Sequence, residues 1–90
     1  MEIKHSRGRF YTNTKHGEAY LEYKIIDKNT MSIYHTFTPG EDRGHGIAEK
    51  ISIEAFDFAK NKGLKVRPDC PYITYFVEKN KKFKKYLVDQ

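Results

Sequence analysis

Between Thr38 and Ile47 the hydrophobic pattern of this 90-residue chain changes its period. Upstream, apolar side chains recur at every second position; downstream they recur every three to four. Strands alternate faces with period 2 and helices turn with period 3.6, so a strand must end here and a helix begin. The junction reads Pro39-Gly40-Glu41-Asp42-Arg43-Gly44-His45-Gly46, with three glycines in seven positions. Whatever this chain does, the loop sits where two kinds of backbone order meet.

On the strand side, Arg9 to Thr14 carries β-formers and runs into the turn signal Lys15-His16-Gly17. Glu18 to Asp27 predicts a longer strand, with Ala19, Leu21, Tyr23 and Ile25 on one face and Tyr20, Glu22, Lys24 and Ile26 on the other. Asp27-Lys28-Asn29-Thr30 is a polar turn. Met31 to Thr38 alternates again, setting Met31, Ile33, His35 and Phe37 against Ser32, Tyr34, Thr36 and Thr38. Three strands with short links predict an antiparallel meander.

On the helix side, Ile47, Ile51, Ala55 and Phe58 form a stripe flanked by Ala48, Ser52, Phe56 and Ala59. Asn61-Lys62-Gly63 ends it, with Lys in the last turn and Gly placed for a C′ cap. Leu64 to Arg67 predicts a short buried strand closed by Pro68-Asp69-Cys70-Pro71. Helical spacing returns at Tyr72, Ile73, Phe76 and Val77, and again at Phe83, Tyr86 and Leu87. The order β-β-β-loop-α-β-α-α predicts a single α+β domain over residues 1–90, a sheet with helices packed on it.

Composition supports a folded domain and limits its partners. Hydrophobic residues make up 38% and aromatics 14%, richer than disordered chains. No apolar run approaches the roughly 18 residues a membrane span needs, and Met1-Glu2-Ile3-Lys4-His5 shows no signal-peptide core. A cytoplasmic monomer without a membrane partner is expected. One cysteine and four dispersed histidines predict no metal site. Residues 1–59 hold 8 Lys and Arg against 9 Asp and Glu, whereas residues 60–90 hold 9 against 3. That basic third calls for an anionic partner or is a solvated face. Tyr11, Tyr20, Tyr23 and Tyr34 fall in no base-stacking motif, and Lys79 to Tyr86 fits an amphipathic helix docking Phe83 and Tyr86. Nucleic acid is therefore not the expected partner.

The glycine loop suggests a phosphate site. A helix N-terminus leaves its first amides unpaired and carries about half a positive charge. Glycines there remove side chains that would hold an anion away, and consecutive amides can converge on phosphate oxygens. The lysine of a Walker loop is absent, so a pyrophosphate fits better than a nucleoside triphosphate. A plain tight turn is the alternative.

Taken together, a strand followed by Arg43-Gly44-His45-Gly46-Ile47-Ala48 and an amphipathic helix resembles the acetyl-coenzyme A loop of the GNAT superfamily of N-acetyltransferases. The chain is similar, more closely, to a short GNAT-like subfamily marked by His35-Thr36, Arg43 to Ala48, and Cys70-Pro71-Tyr72-Ile73. The resemblance implies a minimal GNAT-like fold with a mixed, mostly antiparallel sheet. It implies acetyl-CoA as cofactor, with pantetheine beside Thr36, Phe37 and Thr38. It places the pyrophosphate against Arg43, Gly44, His45, Gly46, Ile47 and Ala48, and a 3′-phosphate near one of Lys79, Lys81, Lys82, Lys84 or Lys85. The implied activity is acetyl transfer to an amine, on a small molecule or a protein. Full-length members have helices between their first and second strands; here only Lys15-His16-Gly17 separates those strands. That missing wall favours a non-catalytic acyl-CoA-binding module as the alternative.

Cys70, His35 and Tyr72 are candidates for the chemistry, with Tyr75 weighed beside Tyr72. Cys70 precedes a helix near Tyr72, where a thiolate is favoured, and fits a nucleophile or a mixed-disulfide thiol; it fits a small buried hydrophobe equally. His35, close before the loop, suits a general base, or a satisfied histidine on an apolar face between Ile33 and Phe37. Tyr72 and Tyr75 occupy the region where the resemblance implies a tyrosine that protonates the leaving thiolate. Core aromatics with rim hydroxyls are their plainer reading. Glu41 and Asp42 read as solvated turn residues.

Overall fold

The computed structural model describes residues 2–88. One sheet is built from β1 (Lys4–Ser6), β2 (Arg9–Thr14), β3 (Gly17–Asp27), β4 (Thr30–Phe37) and β5 (Lys65–Pro68), in that spatial order. The first four pair antiparallel, and β5 runs parallel to β4. Helix α1 (Ile47–Asn61) makes the crossover between those parallel neighbours, and α2 (Pro71–Lys79) follows β5. Short 3₁₀ segments occupy Gly40–Asp42 and Lys81–Tyr86. The expected α+β architecture with a mostly antiparallel sheet is what the chain adopts.

Two expectations need correction. Lys4-His5-Ser6 is an extra strand, too short and too polar to show a period, held by pairing with Arg9 to Tyr11. The first two strands are therefore joined by Arg7-Gly8, and Lys15-His16 links the second to the third. Either link is a two-residue turn with no room for a helix. The lysine-rich end is 3₁₀ rather than α-helical, consistent with its short length.

Helix α1 covers one face of the sheet. Its Ile51, Ser52, Ala55, Phe56 and Ala59 are buried, with Ile47 and Phe58 half-buried. Beneath them lie Phe10, Ala19, Leu21, Tyr23, Met31, Ile33 and Val66, and in β2 and the first part of β3 burial follows alternate positions. Helix α2 starts with Pro71 at its first position and docks beside α1 through Ile73, Phe76 and Val77. Phe56, Phe76 and Phe83 tie α1, α2 and the last segment together at centroid distances of 5.2–5.6 Å.

Strand β4 does not keep one alternation. Glu22 pairs with His35, yet the next residue, Tyr23, pairs with Ile33, so Tyr34 is an extra residue in a β-bulge. A one-residue insertion swaps every later side chain to the other face. Met31 and Ile33 point into the core, but beyond the bulge Thr36 and Thr38 point inward, and exposed His35 and Phe37 turn outward. His35 thus does not share a face with Ile33, contrary to the simple period. The outer face remains open, with Lys24, Tyr34, His35 and Phe37 exposed on it.

Asp42, expected as a solvated turn residue, is buried at 8% exposure. Its Oδ2 accepts from the Thr14 hydroxyl at 2.7 Å and the His16 amide at 3.2 Å, and Oδ1 lies 3.2 Å from His16 Nδ1. The Thr14 hydroxyl chiefly, and the His16 groups with it, hold this carboxyl below its ordinary range. One carboxylate therefore staples the glycine loop to the β2–β3 hairpin. A depressed carboxyl stabilises the fold above its unfolded pKa and loses that contribution as pH falls through the folded value. Urea melts of Asp42→Asn should show a stability deficit at pH 7 that narrows towards pH 3; an equal deficit at both would contradict the staple.

Candidate acyl-cofactor cleft

Pairing between β4 and β5 ends early. The last register pair is Ile33 with Pro68, followed by the Asp69 amide donating to the Ile33 carbonyl at 3.0 Å. Asp69 Oδ2 also accepts from the Ser32 hydroxyl at 2.5 Å and Arg67 Nε at 2.6 Å, which pins the end of the zipper. Those two donors, the Ser32 hydroxyl first, keep the Asp69 carboxyl below its ordinary range. Past that point β5 turns into α2 at Cys70, while β4 runs on to Phe37. The divergence leaves a cleft of about 590 Å³, within the roughly 300–1,000 Å³ usual for ligand pockets.

One wall of the cleft is the end of β4, with Thr36, Phe37 and Thr38. A second is the loop and first turn of α1, with Arg43, Gly44, Gly46, Ile47 and Ala48. Tyr72, Tyr75 and Lys79 of α2 close the third side. Eight of the nine residues assigned to cofactor binding from the sequence therefore lie together. His45 is exposed and does not line the cleft.

The loop geometry is set by its glycines. Gly44 and Gly46 have φ of 84° and 78°, left-handed values costly for residues with a Cβ. A Cβ at either would meet no protein atom within 4 Å; the space above them is open. Gly46 caps α1 in this conformation. Lys50 donates to the Gly46 carbonyl at 3.0 Å as the helix begins. From Gly44 to Glu49, six successive amides have no protein acceptor among the described residues. They sit at the positive end of a 15-residue helix. Arg43 folds back so that its Nε donates to the Thr38 carbonyl at 3.2 Å, which ties the loop to the strand.

The candidate chemical groups are distributed unevenly. Tyr72 lines the cleft, and its hydroxyl pKa is pushed up to about 12 by burial, with smaller contributions from Glu49 and Tyr75. Tyr75 stands at the rim with 52% exposure. Cys70 is buried in the core cluster at the N-cap of α2, outside the lining. Its sulfur is 3.4 Å from the Thr36 hydroxyl, so a single side chain separates it from the cleft. His35 stands on the outer face, stacked on Tyr20 with ring centroids 5.5 Å apart, and the Tyr20 hydroxyl is 3.4 Å from its Nε2.

Of the five lysines considered, Lys79 alone lines the cleft. Lys82 and Lys85 lie instead beside a separate groove against α1. Sequence reasoning missed Asp42 and Glu49 as cleft residues. Asp42 could not be found locally, because its partners are 26 and 28 positions away. Glu49 carried a signal, an acid in a first helical turn; the Asn80 side chain donates to it at 3.2 Å. Among the described residues no group of three His, Cys, Asp or Glu is placed to hold a metal.

Comparison with known proteins agrees with this architecture. The family described as GCN5-related N-acetyl-transferase matches residues 9–86. Protein NATD1 of Xenopus tropicalis is 32% identical over 84 residues, covering 89% of this chain and 77% of that protein. Protein NATD1 of Homo sapiens is also 32% identical over 84 residues, covering 89% and 74%. The NMR solution structure of a GCN5-like protein from Staphylococcus aureus superposes with a TM-score of 0.81 at 24% identity, over 99% of this chain and 89% of that one. At that identity the structural likeness speaks for the fold, and the family match carries the kinship: the chain belongs to the GCN5-related N-acetyltransferase family.

Proposed function

We propose that the cleft binds acetyl-coenzyme A and that the protein transfers the acetyl group to an amine. The observation that carries this reading is the run of six successive amides from Gly44 to Glu49 without a protein acceptor among the described residues, at a turn whose Gly44, Gly46, Ile47, Ala48 and Glu49 line the cleft. Such amides give up water for phosphate oxygens at little cost, because they are already exposed and oriented. The pyrophosphate lies on this loop, with Arg43 at its edge and Lys79 on the facing helix as the nearby cations. Pantetheine lies along Thr36, Phe37 and Thr38, where β4 has lost its β5 neighbour.

When bound, acetyl-coenzyme A supplies an activated acyl carbonyl and a thiolate leaving group. The chain supplies position first, which can contribute roughly 7–11 kcal/mol in the best-oriented cases. Tyr72, a protonated phenol that lines the cleft, donates its proton to the departing sulfur. His35, exposed on the outer face of the sheet and outside the cleft lining, is the base this reading assigns to the ammonium proton. Cys70 is 7% exposed and screened by Thr36, which favours direct transfer over an acetyl-cysteine relay. A second reading, a binding module without turnover, draws support from the open outer face, where two-residue turns leave no wall for an acceptor.

Gly44→Val should weaken acetyl-coenzyme A binding by at least about tenfold in calorimetric titration while leaving a cooperative thermal transition. Its Cβ enters open space, so the protein loses only the roughly 1–3 kcal/mol of left-handed strain. Unchanged affinity would place the site elsewhere. For turnover, Tyr72→Phe should slow thiol release from acetyl-coenzyme A with an amine panel by roughly 100-fold and leave cofactor Kd within about twofold. Cys70→Ala should retain thiol release; its loss there, with an acetyl adduct on wild-type Cys70 in mass spectrometry, would replace direct transfer with a relay. No release by the wild type with bound cofactor would favour the module.

A further inference from the structure

We infer that the groove between α1 and the Lys81–Tyr86 segment docks an acidic polypeptide segment carrying one apolar anchor. The groove encloses about 280 Å³ and is separate from the cofactor cleft. Its apolar side is made by Ile53 of α1, Phe83 and Tyr86. Phe83 is 6% exposed and locked against Phe56 and Phe76, so this floor is held in place rather than free to close. Lys60, Lys82 and Lys85 stand around it. Asp57 is the one carboxylate in the lining, leaving a clear positive excess.

The charge on this surface is unspent. The four ion pairs among the described residues use Arg9, His16 and Arg67, and none uses a lysine. Lys82 and Lys85 keep their ammonium groups 5.3 and 5.4 Å from the rings of Phe83 and Tyr86, with their stems lying along the floor. Lys65 Nζ donates to the Lys85 carbonyl at 2.8 Å and fixes the segment against β5. A recessed apolar floor inside a cationic rim complements an apolar side chain flanked by carboxylates.

Other polyanions fit less well. A nucleic acid would use open aromatic faces for stacking or arginine forks for phosphates, but Phe83 is buried, Tyr86 half-buried and the rim has no arginine. An anionic membrane would need exposed apolar side chains, whereas Phe83 is buried and Ile53 and Tyr86 are half-buried.

The test needs no cofactor and is independent of the acetyl-transfer reading. The probe is a dye-labelled nonapeptide of alternating glutamate and aspartate with a central phenylalanine, followed by fluorescence anisotropy at about 50 mM salt. Binding should weaken about tenfold in the double variant Lys82→Gln, Lys85→Gln, whose exposed side chains can be lost without unfolding. It should weaken about fivefold or more when the central phenylalanine becomes serine. In the wild type, peptide-induced amide shifts should map to residues 53–60 and 81–86. Three results would each overturn the inference: equal binding by the lysine variant, equal binding by the serine peptide, or tighter binding of an oligothymidylate of equal charge. Shifts confined to the cofactor cleft would do so as well.

Discussion

Strand β4 is asked to serve two neighbours and fully serves only one. It pairs with β3 along nearly its whole length, yet with β5 only from Thr30 to Ile33. The bulge at Tyr34 falls where that second pairing stops, and the Ser32–Asp69–Arg67 cluster fastens the last shared position. Beyond it the backbone of β4 faces a cleft instead of a strand. Every feature of the site follows from that parting. The loop closes one side because β4 runs directly into it, and α2 closes the other because β5 ends where β4 continues.

Electrostatics then gives the cleft a polarity. In the proposed reading, anion affinity at the Gly44–Glu49 turn would come from backbone dipoles and would require no buried cation and no desolvated ion pair. Asp42 and Glu49 put carboxylates beside the proposed phosphate site, but both are engaged. Asp42 is held by Thr14 and His16, and Glu49 accepts from Asn80. At the far side stands the Tyr72 hydroxyl, whose pKa burial pushes up to about 12. The glycine turn and the Tyr72 hydroxyl thus line the same cavity.

The glycine loop and its neighbours were readable because they depend on local facts. Glycine spacing, a change of hydrophobic period and a helix start all sit within ten positions of one another. That local reading located α1, β5 and α2, while the family resemblance implied the eight residues that line the cleft together. It could not see the bulge, because an inserted tyrosine leaves no mark on a run that still alternates apolar and polar residues. As a result His35 and Phe37 were read onto the wrong face. It could not see the Asp42 staple, whose partners come from a distant hairpin, nor β1, which exists only because β2 offers it an edge. The lysine run was visible as charge, but Lys79 meets the cleft because it ends α2, whereas the segment after Asn80 carries Lys82 and Lys85 to the other groove.

The central claim is that backbone amides at one strand-to-helix turn grip a diphosphate. The most direct measurement follows the amide shifts of Gly44, His45, Gly46, Ile47, Ala48 and Glu49 by heteronuclear NMR while coenzyme A is titrated in, with dephospho-pantetheine as a control lacking the pyrophosphate. The account predicts large, saturable shifts at these six amides with coenzyme A, and only the Thr36–Thr38 signals responding to the control. Amides at the turn that stay in place while others move would contradict it.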